Sequence, residues 1–211
     1  MSKNTMPLHK EAWIEELAIK IFNEIEVLTK DKVGVSRESY GKGETISINY
    51  MIDLAKEFGF YIEKDAAANV YLSLEQSIKN NHILIGSHID SVPQGGNFDG
   101  LAGVIAGFLI LVYLKEKKVK TSLPIKLLVL RGEESAWYGK NCIGSKALFG
   151  LISQEDLNST HRSNGKKLSK AMTESGVKLD QIRKCKTLIN KNEIEAFIEI
   201  HIEQGLSLIH I

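Results

Sequence analysis

Three short apolar runs with β-branched content constrain this chain more than any other feature: His82 to Ser87, Ile125 to Leu130 and Ala196 to Ile200. Each is nearly continuous and bounded by polar residues. That is the pattern of strands buried on both faces beneath helices, since half-exposed strands alternate instead. Between the first two runs, Leu101 to Lys117 carries a helical pattern. Strand, helix, strand predicts a βαβ unit, and with it an α/β fold whose helix-covered sheet is mostly parallel.

The flanking segments fit such a fold. Trp13, Leu17, Ala18, Ile21, Ile25 and Leu28 recur at helical spacing over residues 9 to 29. Ser36 to Gly43 reads as a polar loop, and Thr45 to Phe58 as a second amphipathic helix ended by Gly59. Tyr61 to Glu63 and Val70 to Leu74 read as short strands around a turn at Asp65 to Asn69. Residues 151 to 193 are polar, with a helix-like stretch from Leu168 to Ile182 that Gly176 breaks.

Composition excludes several classes of function. Apolar residues make up 43% and charged residues 25%, and Lys plus Arg (27) nearly balances Asp plus Glu (26). No basic surplus points to nucleic acid. The longest apolar run, Leu101 to Leu114, is too short to span a bilayer, and no apolar leader core follows the polar first ten residues. Cys142 and Cys185 form neither a disulfide framework nor a CxxC site. The expectation is a cytoplasmic protein with no nucleic-acid or membrane partner.

Four clusters lie at or just beyond the predicted strand ends, where open α/β sheets build their sites. In Gly86-Ser87-His88-Ile89-Asp90, His88 suits a metal ligand and Asp90 can accept its second ring N–H; taken alone, the pair equally suits a half-buried histidine beside a turn aspartate. In Gly95-Gly96-Asn97-Phe98-Asp99-Gly100, Asp99 is either a helix N-cap or a carboxylate turned into a crowded site by flanking glycines. Arg131-Gly132-Glu133-Glu134-Ser135 puts two carboxylates directly after a buried strand: a solvated acidic turn, or one ligand and one general base beside a metal. In Ile200-His201-Ile202-Glu203-Gln204-Gly205, His201 is a core histidine or a further ligand. Each signal is modest. Together they are hard and borderline donors without thiolate, which suit Zn, Mn, Co or Ni.

At these residues the sequence resembles the M20 metallopeptidase family, on the branch of N-carbamoyl-amino-acid hydrolases, allantoate amidohydrolases and β-ureidopropionases. The matching text is GSHIDSVPQGGNFDG from Gly86, GEES from Gly132 with GKNCIGSKALFG after it, and HIEQG from His201. Asn69 also matches the family's D-x-x-x-N segment. The likeness runs from about residue 10 to Gly205. It implies a zinc-peptidase-like catalytic domain holding two divalent metal ions (Zn, Mn, Co or Ni). Asp99 would bridge them, His88 and His201 would bind one, and Glu134 the other. Glu133 would be the general base, Asp90 would orient His88, and Gln204 would help hold a small amide or ureido substrate. A hydroxide between the metals would attack the C–N carbonyl. His201 points to this branch because peptidase members tend to carry a carboxylate there. The motif continues as Ser-Ala-Trp-Tyr from Ser135 where Gly-Ser-Arg-Phe is commoner, which bears on substrate preference. Within the enzyme class the alternative is an aminoacylase or dipeptidase; outside it, an inactive fragment acting only as a binding module.

Members of that family run to about 400 residues, and the resemblance implies a homodimer whose lid or dimerisation domain follows the HIEQG strand. The expected organisation is therefore residues 1–205 as the N-terminal part of the catalytic domain, truncated before the inserted domain. Residues 206–211 form a tail that fits nothing upstream. The expectation for the 211-residue chain alone is poor solubility and little activity.

Overall fold

In the computed structural model, residues 11–203 are described, apart from 77 and 79. The described residues open with two helices, α1 (Ala12–Thr29) and α2 (Lys42–Glu57). Five strands and five further helices follow: β1 (Tyr61–Lys64), β2 (Val70–Ser73), β3 (His82–His88), α3 (Leu101–Glu116), β4 (Ile125–Leu130), α4 (Ile143–Leu148), α5 (Gln154–Asn158), α6 (Leu168–Glu174), α7 (Leu179–Ile182) and β5 (Ile194–Ile198). The strands form one sheet in the order β1-β2-β4-β3-β5. Only β2 runs against the others: it pairs antiparallel with β1 and β4, while β3 pairs parallel with both β4 and β5. This is the mostly parallel α/β sheet the apolar runs predict, with β3-α3-β4 as the βαβ unit.

The two faces of the sheet are covered differently. On one side Ile21, Ile25, Met51, Phe108 and Leu111 from α1, α2 and α3 pack with Leu72, Leu127 and Val129 of the sheet. On the other, Leu84, Leu128 and Leu130 meet Leu148 of α4 and the 188–189 segment. Helix α3 has a nearly unbroken apolar sequence because most of its circumference is buried between sheet and helices. A tie from β2 to β4 supports the later site: Asn69 Oδ1 accepts the N–H of Arg131 (3.1 Å), while its amide donates to Asp65 Oδ2 (2.8 Å).

Several boundaries differ from the sequence expectations. Helix α2 begins at Lys42, so the loop read over Ser36 to Gly43 is two residues shorter. The stretch from Leu168 to Ile182, by contrast, is broken at Gly176 (φ +87°) into two helices as expected. Helices α4 and α5 lie in segments too short to show a helical period. The largest correction concerns β5. It ends at Ile198, not Ile200, and it is not buried on both faces: Phe197 and Ile198 are each 46% exposed, because β5 lies at the sheet's edge with no strand beyond it among the described residues.

Candidate metal centre

Strand order brings the four clusters together. β4, β3 and β5 are adjacent and parallel, so their carboxyl ends share one edge of the sheet. His88 is the last residue of β3, Glu133 and Glu134 follow β4, and His201 follows β5 by three residues. Asp99 sits just before α3. The N-cap residue of that helix is Gly100, not Asp99. Gly100 is required there: its φ is +60°, and a Cβ would lie 2.5 Å from the His88 ring.

His88, Asp99 and His201 each offer one ligand atom, and the three atoms lie within 4.8 Å of one another. His88 and Asp99 are buried; His201 is exposed. Each imidazole has its Nδ1 against a carbonyl oxygen, His88 on Asp90 O (2.9 Å) and His201 on Ile202 O (2.8 Å). A carbonyl only accepts, so both Nδ1 atoms carry the proton. The two Nε2 atoms face each other at 3.0 Å, so with Nδ1 protonated on both rings they can share one cation, either a proton on His88 or a metal ion. Nitrogens sharing one zinc-sized ion stand roughly 3.3 Å apart, so the donors fit a metal. Asp99 Oδ1 is 3.8 Å from His201 Nε2. Burial alone would lower the His88 pKa, but its bond to Asp90 and the charges of Asp90, Asp99 and Glu134 outweigh that and raise it to about 9. The pocket attracts positive charge.

Asp90 links the two halves of the site. Fully buried, it lies 3.2 Å from His88 Nδ1, accepts the Ser39 hydroxyl (2.6 Å), and accepts the backbone N–H groups of Glu133 (3.0 Å) and Glu134 (2.9 Å). These donors hold its carboxyl below its usual range although burial pushes the other way. One carboxylate thus orients a histidine and fixes the turn bearing the Glu pair.

Within that turn the two glutamates differ. Glu133 accepts the backbone N–H and hydroxyl of Ser145, both at 3.1 Å, and burial raises its pKa. Glu134 adds negative charge felt by His88 but is not one of the three clustered donors. Gln204 lies outside the described residues.

Sequence reasoning missed the buried groups that hold this edge. Arg37, 0% exposed, donates to Ile89 O (2.5 Å), Asn97 Oδ1 (3.1 Å), Asn97 O (3.2 Å) and Asp99 O (3.1 Å), joining the loops after His88 and before α3. Burial lowers its pKa to about 10, with Asp99 and Asp90 opposing. Glu44 and Arg131 form a buried ion pair beside Gly132. Arg131 carried a signal, a cation ending a buried strand and so in need of a counter-charge; Arg37 lay in a predicted loop and Glu44 between that loop and the predicted helix, and neither carried one.

Comparison with known proteins gives the kinship. A model of peptidase family M28 matches residues 69–183, more than half of the chain. The chain is 33% identical over 174 residues to an uncharacterized hydrolase of Haemophilus influenzae, covering 81% of this chain and 41% of that protein. It is 33% identical over 181 residues to an N-carbamoyl-L-amino acid amidohydrolase of Geobacillus stearothermophilus (85% and 44%). It is 32% identical over 152 residues to an allantoate amidohydrolase of Bacillus subtilis (72% and 36%). The chain thus spans less than half the length of these relatives. In fold it is similar to a hydantoinase/carbamoylase family amidase from Burkholderia ambifaria: TM-score 0.77, 23% identity, 92% of this chain and 47% of that one. The relatives carry the names of the branch that the motifs resemble, and the matching family model is that of M28 where the motifs suggested M20. The chain belongs to peptidase family M28.

Proposed function

We propose that the chain belongs to a metal-dependent hydrolase of linear amide or ureido C–N bonds, with N-carbamoyl amino acids or allantoate as the substrate class. One observation carries the metal part: the two Nε2 atoms of His88 and His201, both lone-pair donors by their Nδ1 bonds, converge at 3.0 Å beside Asp99. The substrate class rests on the relatives' names.

In this reading His88, His201 and Asp99 would hold one divalent ion, and Asp99 and Glu134 would hold a second. When bound, such ions polarise a carbonyl and make water acidic enough to lose a proton near neutral pH. The chain's own residues do the rest. Asp90 keeps the Nδ1–H tautomer of His88 and so aims Nε2 at the centre. Glu133, its affinity for a proton raised by burial, accepts the proton of the attacking water at a carboxylate oxygen and delivers it to the leaving nitrogen. Ser145 holds that carboxylate in place. Gln204 contacts substrate, and the protein works in the cytoplasm as a homodimer. Among the described residues no helix is long and apolar enough to cross a membrane, and both cysteines are unpaired.

The test is product analysis on protein of its relatives' full length that carries this chain, loaded with Mn²⁺ or Co²⁺. Ammonia released from an N-carbamoyl amino acid or allantoate, and lost in Glu133→Gln, is the expected result. Free amino acid from N-acetyl or dipeptide substrates, without ammonia from ureido ones, would place the chain with the aminoacylases and dipeptidases. Metal bound with no turnover of either would make it a binding module.

A further inference from the structure

Four consecutive backbone amides, Arg131 to Glu134, donate to side chains of other segments. Arg131 N–H goes to Asn69 Oδ1 (3.1 Å), Gly132 N–H to Glu44 Oε1 (2.7 Å), and those of Glu133 and Glu134 to Asp90 (3.0 and 2.9 Å). The carbonyls of Arg131, Gly132 and Glu133 accept the backbone N–H groups of Gly144, Ile143 and Cys142 at the start of α4, so side chains set the amide side of this turn and backbone the other.

Of these, Glu44 is the least expected. It sits in the first turn of α2, is 0% exposed, and both its oxygens are engaged. Oε1 takes Gly132 N–H; Oε2 takes Tyr40 N–H (2.8 Å) and Arg131 Nε–H (2.7 Å), with Arg131 Nη2 at 2.6 Å. Arg131 reaches on to Thr45 Oγ1 (2.7 Å) and Ser175 O (3.3 Å), and its guanidinium lies 5.0 Å from the Tyr40 ring centroid. Gly132 has φ +63°, and a Cβ there would lie 2.7 Å from the Tyr40 ring, so the backbone is pressed between Glu44 and Tyr40. A buried Arg–Glu pair is weak evidence of stabilisation, since apolar replacements often serve as well. What an apolar pair cannot do is accept the Gly132 amide.

We propose that Glu44 is a positioning residue for the metal centre: through the Gly132 amide and Arg131 it fixes the backbone from which Glu133 and Glu134 project. This rests on the metal-centre reading above. Glu44 itself touches the turn only through backbone and Arg131, so its effect on the centre is indirect.

The test compares Glu44→Gln and Glu44→Asp with the unsubstituted chain by Co²⁺ titration, read from the visible absorption, and by amide hydrogen exchange. Glutamine keeps the shape but offers one acceptor oxygen and turns N–H groups toward donors. Aspartate keeps the charge and can reach Arg131 or Gly132 but not both. It decides the matter if the glutamine variant does not fold. The expected result is exchange at Gly132, Glu133 and Glu134 about tenfold faster, with protection of β3 and β4 unchanged, and Co²⁺ affinity lower by about 10- to 100-fold, as when groups supporting metal ligands are lost. A folded variant with unchanged Co²⁺ affinity and unchanged exchange in the turn would overturn the proposal while leaving the metal centre intact. No Co²⁺ binding by the unsubstituted chain would overturn the metal centre, and the proposal with it.

Discussion

His88 and His201, 113 residues apart in sequence, face each other Nε2 to Nε2 at 3.0 Å, each with its Nδ1–H on a backbone carbonyl. The strand order produces this meeting, since β5 enters the sheet directly beside β3. A proton on His88 can hold the pair in the absence of metal, and in the proposed reading a divalent ion replaces it. Removal of one partner tests that reading. In His201→Ala, divalent-metal affinity is expected to fall by more than the roughly 100-fold seen when only a supporting group is lost. The metal-free variant should unfold within about 0.5 kcal/mol of the parent, as His201 is exposed. Isothermal titration and thermal melts in EDTA check both halves.

Asp90→Asn tests the carboxylate shared by His88 and the glutamate turn. An amide cannot accept from Ser39, Glu133 and Glu134 while also facing the His88 ring N–H, so a buried donor loses its partner. The expected cost is about 1–3 kcal/mol in stability and about 10- to 100-fold in metal affinity. Chemical denaturation and Co²⁺ titration measure the two separately.

Arg37→Met removes a buried cation that holds four oxygens on the loops before and after the site. Its loss should destabilise by about 3 kcal/mol, lowering Tm by about 6–12 °C for a chain of this size. Metal binding should weaken with it, because the loops that carry Asp99 and follow His88 are no longer tied. Calorimetry with and without metal reads both.

Metal-free protein should lose stability as pH rises from 6.5 to about 9. The folded state holds the His88 proton up to about 9, against 6.5 for an unperturbed histidine, so folded protein binds more protons between those values. The stabilisation is complete below 6.5 and gone above 9, with a magnitude of up to about 3 kcal/mol. Melts in EDTA across that range should show the decline in the parent and not in His88→Gln. Saturating metal should abolish it by displacing the proton.

Much of this was legible in the sequence because the same residues are apolar, short and bounded. The runs ending at Ser87 and Leu130 gave β3 and β4 almost to the residue. His88 and His201 stood out as polar donors at the ends of apolar runs, and Asp99 as a carboxylate flanked by glycines. Asp90 was legible as the partner of His88, but its grip on the Glu133 and Glu134 amides was not, since backbone donors leave no trace in sequence. Arg37 and Glu44 were hidden for another reason. A charged residue reads as solvent-facing until its counter-groups, 50 to 90 positions away, are known. The exposed faces of β5 were misread because an apolar edge strand and an apolar central strand are the same string of letters.

Anomalous diffraction from crystals soaked in Zn²⁺ tests the central claim most directly. The account predicts a peak bound by His88 Nε2, His201 Nε2 and an Asp99 oxygen, with both Nδ1 atoms still on the Asp90 and Ile202 carbonyls. Zinc found only at other residues, or a proton alone bridging the two rings at saturating Zn²⁺, would contradict it.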